Sequence, residues 1–210
     1  MSITELINMS IENKNAERPY EYRFVWKWLS PLLVLPRESR AKVKILDVGG
    51  AESKIAKTLA DLGFDVTVID LNPGDYGRAR WIKENILTFD FPENHFEVIL
   101  AISTVEHVGL PCYGQDVIDD DGDIKTMRKI YRWLKLYGMA IVTLPYGKPH
   151  HPKTFERVYN EVRLRNRILV DRWEVLEKTY MCNKGRWVQD SWINCLNYDG
   201  VVMMALRKLP

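Results

Sequence analysis

Residues 44–64 read KILDVGGAESKIAKTLADLGF. From Val43 to Val48 the chain is apolar at nearly every position, as in a strand covered on both faces. Ile55, Leu59 and Leu62 then fall at helical spacing, and Gly63 marks the stop. A strand passing into a helix through Gly49-Gly50 leaves backbone N–H groups and the positive end of a helix dipole free to meet a ligand. In the dinucleotide fingerprint GxGxxG the second glycine makes room for pyrophosphate. Counted from Gly49, that place is Ala51, and Glu52 follows it. A carboxylate repels two phosphates, strongly so where water is excluded. The loop therefore suits a ligand with an ammonium or sulfonium group better than one with a diphosphate.

Downstream, strand and helix patterns alternate. FDVTVID (64–70) reads as a second strand ending on Asp70. It closes about twenty residues after the loop, where an acid can accept hydrogen bonds from ribose hydroxyls. RWIKENI (80–86) and HFEVILAIST (95–104) read as strands three and four, and GMAIVTLP (138–145) as strand five. DIKTMRKIYRWLK (123–135) is predicted helical, with Ile124, Met127, Ile130, Tyr131 and Leu134 as its apolar stripe. FERVYNEVRLRNRIL (155–169) is a further helix candidate, and WEVLEKTYM with YDGVVMMALRK a closing hairpin. Such alternation indicates a parallel α/β sheet with helices on both faces. Ligands of such sheets bind beyond the carboxyl ends of the strands, so functional residues are expected just after positions 48, 70, 86, 104 and 145.

The 210 residues carry a net charge of +2, with 46% hydrophobic and 28% charged side chains, as in a globular chain without a strong field for nucleic acid. Cys112, Cys182 and Cys195 form no CxxC pair, which argues for a reducing compartment and against a disulfide or zinc framework. The N-terminus lacks the pattern of a signal peptide, and FVWKWLSPLLVLP (24–36) is too short to span a bilayer and contains Lys27 and Pro31. A cytoplasmic protein without a transmembrane segment is expected. Residues 1–40 read as a helical extension, with EYRFVWKWL as an edge helix, lid or dimer contact, ahead of a single domain over 41–210.

The series ILDVGGAES, LADLGFDVTVIDLNP, ENILTFDFPENHFEVILAISTVEHVG and LKLYGMAIVTLPYG resembles the class I S-adenosylmethionine-dependent methyltransferases over roughly residues 42–147. The resemblance implies a Rossmann-like, doubly wound sheet of seven strands whose last strand is antiparallel. It implies S-adenosylmethionine as cofactor and S-adenosylhomocysteine as product. Asp47, Gly49, Gly50 and Ala51 would surround the methionine end, Asp70 and Leu71 the ribose, Asn85 and Ile86 the adenine, with Ser103 beside them. The family loop is usually DxGxGxG, whereas Ala51 and Ser53 replace two glycines here, and Asn85 stands where an aspartate is common. STVEHVGL, YG and GD, with LPYG, RVY and GRW, further resemble a group of bacterial and archaeal class I methyltransferases whose substrates are not established.

Ser103 to His107 lie where strand four emerges. Glu106 and His107 are adjacent, so on an extended chain or a helix they diverge, one toward cofactor and one toward substrate. His107 is the leading general base, with Glu106 and His150 as further catalytic candidates. Tyr113, Tyr146, His151 and Arg157 are candidates for the acceptor, Arg157 as a clamp for an anionic one. The run Asp119 to Asp123 fails the calcium-loop pattern, since no Glu holds the twelfth place, and reads as a helix start; no metal is expected. The expected activity is in-line methyl transfer to a small molecule, lipid-linked sugar or glycan. The (D/N)PPY signature of DNA amino-methyltransferases is absent, so DNA is not an expected partner, and the chain would act as a monomer or homodimer. Two rivals remain: a non-catalytic methyltransferase-fold subunit, and an NAD(P)-dependent short-chain-type oxidoreductase using Tyr131 and Lys135.

Overall fold

The computed structural model describes residues 16–149 and 155–210. Its eight strands are β1 (Lys44–Val48), β2 (Asp65–Ile69), β3 (Arg80–Ile82), β4 (Phe96–Ile102), β5 (Leu134–Tyr146), β6 (Trp173–Asn183), β7 (Trp187–Asp190) and β8 (Gly200–Lys208). They form one sheet in the order β3-β2-β1-β4-β5-β8-β6-β7. The first five pair in parallel, while β8 runs antiparallel between β5 and β6. The expected antiparallel last strand is therefore present, with one strand more than the expected seven. The extra strand, β7, folds back on β6 through a turn in which Gly185 takes φ 82, and forms the sheet edge.

The apolar runs have the double burial their composition predicts. On β4, Val98, Leu100 and Ile102 join one core cluster and Ile99 and Ala101 the other, in strict alternation. Helices α1 (Arg18–Leu29) and α2 (Ile55–Asp61) cover the first face, with Phe24, Val25, Leu29, Ile55 and Leu59 against β1, β2, β4 and β8. Helix α3 (Gly122–Trp133) covers the second through Met127, Ile130 and Trp133. The acidic run does begin this helix.

The helix expected over 155–169 is reduced to a turn at Glu161–Arg163 and a π-helical turn at Leu164–Ile168. Tertiary hydrogen bonds claim the backbone before it. Arg157 N–H donates to the Glu106 carbonyl at 3.1 Å, and Tyr159 bridges Tyr146 as a parallel partner. No helix among the described residues is long and apolar enough to cross a membrane.

Candidate active site

The β1–α2 loop is shaped by close approaches. Gly49 takes φ 69, and a Cβ there would stand 2.3 Å from the Thr104 methyl. A Cβ on Gly50 would stand 2.7 Å from Asp47 Oδ2. Neither position tolerates a side chain. The two residues that replace family glycines make no such demand: Ala51 lies in a 3₁₀ turn (Gly50–Glu52), and Ser53 sits at φ −94. Ala51 N–H donates to Asp70 Oδ2 and Asn72 N–H to Asp70 Oδ1, both at 2.8 Å. The loop and the end of β2 are thus tied together through the Asp70 carboxylate, which keeps lone pairs for a ligand.

Beneath the loop, Asp47 is buried and its Oδ2 has no hydrogen-bond partner. Burial, then repulsion from Asp70, pushes its carboxyl up to about 7. Burial also raises Asp70, against the N–H groups of Asn72 and Ala51 that lower it. An orphaned, desolvated carboxylate oxygen has a strong electrostatic use for a cation, such as an amino-acid ammonium.

Ser103, at the end of β4, is in the left-handed region at φ 45. Its hydroxyl donates to Glu21 Oε1 of α1 at 2.6 Å, and Thr143 donates to the same oxygen. Glu21 is fully buried and pairs with Arg18 at 3.5 Å. Val105–His107 then form a 3₁₀ turn. This corrects the expected divergence of Glu106 and His107: the turn brings Glu106 Oε1 to 3.7 Å from His107 Nε2, and both residues line the same cavity. His107 Nδ1 lies 2.7 Å from the Phe155 carbonyl, which can only accept, so Nδ1 carries the hydrogen and Nε2 the lone pair. Burial lowers the imidazole and raises the Glu106 carboxyl well above its ordinary value. Both shifts favour the uncharged forms while the cavity holds no cation.

These residues line one cavity of about 700 Å³ beyond the carboxyl ends of β1, β2, β4 and β5. Three of the five expected positions are there, as Gly49, Leu71 and Glu106 with His107, while at the other two the lining residues stand at or just before the expected point, as Asn85 with Ile86 and as Pro145. Asn85 also braces its loop: its amide oxygen accepts from Leu87 N–H at 3.0 Å and its NH₂ donates to Asp116 at 3.2 Å. Tyr113 lines the mouth.

Tyr146 and Arg157 are corrections. Tyr146 packs edge-on against Tyr180 in the core, at 1% exposure, and does not reach the cavity. Arg157 is buried, with its guanidinium donating to the carbonyls of Glu106, Val108, Asp119 and Asp120. It ties the post-β4 segment to the start of α3 and has no free face for an acidic acceptor. Tyr131 and Lys135 lie away from the cavity, bonded to the Leu209 carbonyl and to Glu97, which removes the dehydrogenase pair. His150 and His151 lie outside the described residues. Among those described, no group of three or more His, Cys, Asp or Glu is placed to hold a metal ion.

Sequence reasoning offered α1 as an edge helix, lid or dimer contact but named none of its residues for the site; Arg18 and the preceding Glu17 line the cavity, and Glu21 braces it. A signal existed. Glu21 shares the apolar stripe with Phe24, Val25 and Leu29, and an acid on a buried stripe needs partners.

Residues 82–187 match the model of a family described as "Caenorhabditis protein of unknown function, DUF268". All the short motifs from STVEHVGL to GRW fall inside this span. A ubiquinone/menaquinone biosynthesis C-methyltransferase, UbiE, of Shewanella halifaxensis (strain HAW-EB4) is 25% identical over 130 residues, covering 54% of this chain. The chain spans 46% of that relative's length. The Burkholderia thailandensis 1,6-didemethyltoxoflavin-N1-methyltransferase, solved with its substrate and S-adenosylhomocysteine, superposes with a TM-score of 0.61 at 14% identity, over 99% of this chain and 85% of its own. The [4+2]-cyclase SpnF superposes with a TM-score of 0.58 at 15% identity, over 99% of this chain and 93% of its own. The fold is that of the class I S-adenosylmethionine-dependent methyltransferases.

Proposed function

Because the chain belongs to the DUF268 family, whose description carries no activity, we propose from the site itself that it is an S-adenosylmethionine-dependent methyltransferase. The observation that carries this is the joining of the β1–α2 loop to Asp70 above an orphaned Asp47 oxygen. That arrangement offers a carboxylate for ribose hydroxyls and, beside Gly49, a second for an ammonium. Leu71 and Ile86 supply apolar walls, and Asn85 closes the adenine end. The acidic lining is unsuited to a diphosphate. A likeness to a cyclase shows that the fold alone does not fix the reaction, so the assignment rests on the loop and its two acids.

When bound, S-adenosylmethionine supplies an electrophilic methyl group on a positive sulfur. The chain's own work is to hold the reactants in line, exclude water and receive a proton. His107 Nε2, with its lone pair fixed by the Phe155 carbonyl, is the proton acceptor, and Glu106 Oε1 lies 3.7 Å from that same nitrogen. The acceptor is a small molecule, free or attached to a glycan or lipid.

Calorimetric titration of the full chain tests this. Saturable binding of S-adenosylhomocysteine is expected, absent in Asp70→Ala, with no saturable binding of NADPH. Binding of NADPH without S-adenosylhomocysteine would overturn the assignment.

A further inference from the structure

The cavity contradicts the molecule's overall charge. The chain is net positive, yet among the described lining residues Glu17, Glu52, Glu84, Glu106, Glu156 and Asp199 add six acids to Asp47 and Asp70. The one lining guanidinium, Arg18, is already engaged by Glu21 at 3.5 Å and by the Ile102 carbonyl at 3.4 Å. Acids at the exposed rim set a field that salt weakens. Glu106 differs in kind, since it is 1% exposed and neither carboxylate oxygen has a hydrogen-bond partner among the described residues. A buried carboxylate left unpaired at a cavity wall costs stability unless a ligand pairs with it.

Around His107, in the same cavity, stands an aromatic rim that packing does not require. Tyr113 and Phe155 are 47% and 51% exposed, and their rings meet His107 edge-on at 5.0 and 4.8 Å. Tyr113 takes φ 53, a strained conformation for a bulky side chain, to present its ring at the mouth. Exposed aromatic rings and a buried acid in one cavity are a chemistry for organic cations.

Resting on the methyltransferase assignment, we propose that the methyl acceptor is a primary or secondary amine that enters as an ammonium ion, seated on Glu106 with its apolar part against Tyr113 and Phe155. The ammonium must lose one proton before its nitrogen can attack. That N–H bond breaks as an Nε2–H bond forms on His107, leaving a neutral amine with its lone pair. Glu106, 3.7 Å from Nε2, stabilises the imidazolium.

Three molecules of one shape test this: benzylamine as its ammonium ion, benzyl alcohol and benzoate, each titrated into the full chain saturated with S-adenosylhomocysteine. Benzylammonium is expected to bind at least ~10-fold more tightly than the other two. Glu106→Gln should erase that preference without changing the affinity for benzyl alcohol or for S-adenosylhomocysteine. Equal or tighter binding of the alcohol or benzoate, no binding of benzylammonium at millimolar concentration, or a preference surviving in Glu106→Gln would each overturn the proposal. If Glu106→Gln does not fold, the wild-type ranking stands as the test with Tyr113→Ala, which should weaken benzylammonium severalfold; an unchanged affinity overturns it. Failure of S-adenosylhomocysteine itself to bind reports on the methyltransferase assignment, and this proposal falls with it.

Discussion

The Asp47 carboxyl explains both why Gly50 carries no side chain and how the loop responds to pH. Its value of about 7 means the folded chain holds this proton more tightly than the unfolded one does. Its contribution to folding is therefore complete below 3.8 and is lost as pH rises through about 7. Ligand binding follows the opposite course, because an ammonium pairs only with the ionised form. Affinity for S-adenosylhomocysteine should climb from about pH 5.5 to about pH 7.5 and then level off. Asp47→Asn should bind weakly and without that slope; calorimetry across the range checks both. Gly49→Ala places a methyl 2.3 Å from Thr104 at a positive φ, so thermal melting should show a clear loss of stability as well as of ligand binding. For His107→Ala the expectation is intact S-adenosylhomocysteine binding with turnover, read as S-adenosylhomocysteine release, lowered by roughly 10²-fold or more. A binding loss equal to that of Asp70→Ala would make the residue structural.

Among the elements, α1 carries the largest revision of what the sequence suggested. It was legible as a helix from its aromatic residues, with a lid among its readings, but its contacts were not, since nothing in residues 18–29 specifies the distant hydroxyls of Ser103 and Thr143. Glu21→Ala leaves Arg18 without its carboxylate partner and the Thr143 and Ser103 hydroxyls, one buried and one half-buried, without their acceptor. Each such group costs about 1–3 kcal/mol. Urea unfolding should show a loss of that order, and Ser103, already at φ 45, should lose its anchor, weakening S-adenosylhomocysteine binding as well. The parallel strands were legible because burial on both faces leaves a continuous apolar run. The failed helix over 155–169 shares its composition with real helices. What defeats it is non-local: Arg157 and Tyr159 are claimed by the post-β4 segment and by β5. Local pattern cannot register a competing partner fifty residues away, and for the same reason Arg157 read as a substrate clamp.

For the whole molecule, we propose that α1 and the sheet unfold as one cooperative unit. Phe24, Val25, Trp26 and Leu29 are all buried. Burying each side chain contributes about 1.5–3 kcal/mol, or roughly 6–12 kcal/mol together as an upper estimate. That rivals the ~5–15 kcal/mol that holds a domain folded. Removal of residues 1–29 should abolish cooperative unfolding in urea; a truncated chain that still melts in one sharp transition would show that the sheet stands alone. The cavity at the strand ends was legible from the order of strands, and its acidic character was not, because Glu17, Glu84 and Asp199 converge only through the fold. The most direct measurement is a crystal structure of the full chain with S-adenosylhomocysteine. The ribose is predicted on Asp70, with the ammonium beside Asp47 and Gly49 and the adenine toward Asn85. A ligand seated elsewhere, or a cavity still empty at saturating concentration, would contradict the account.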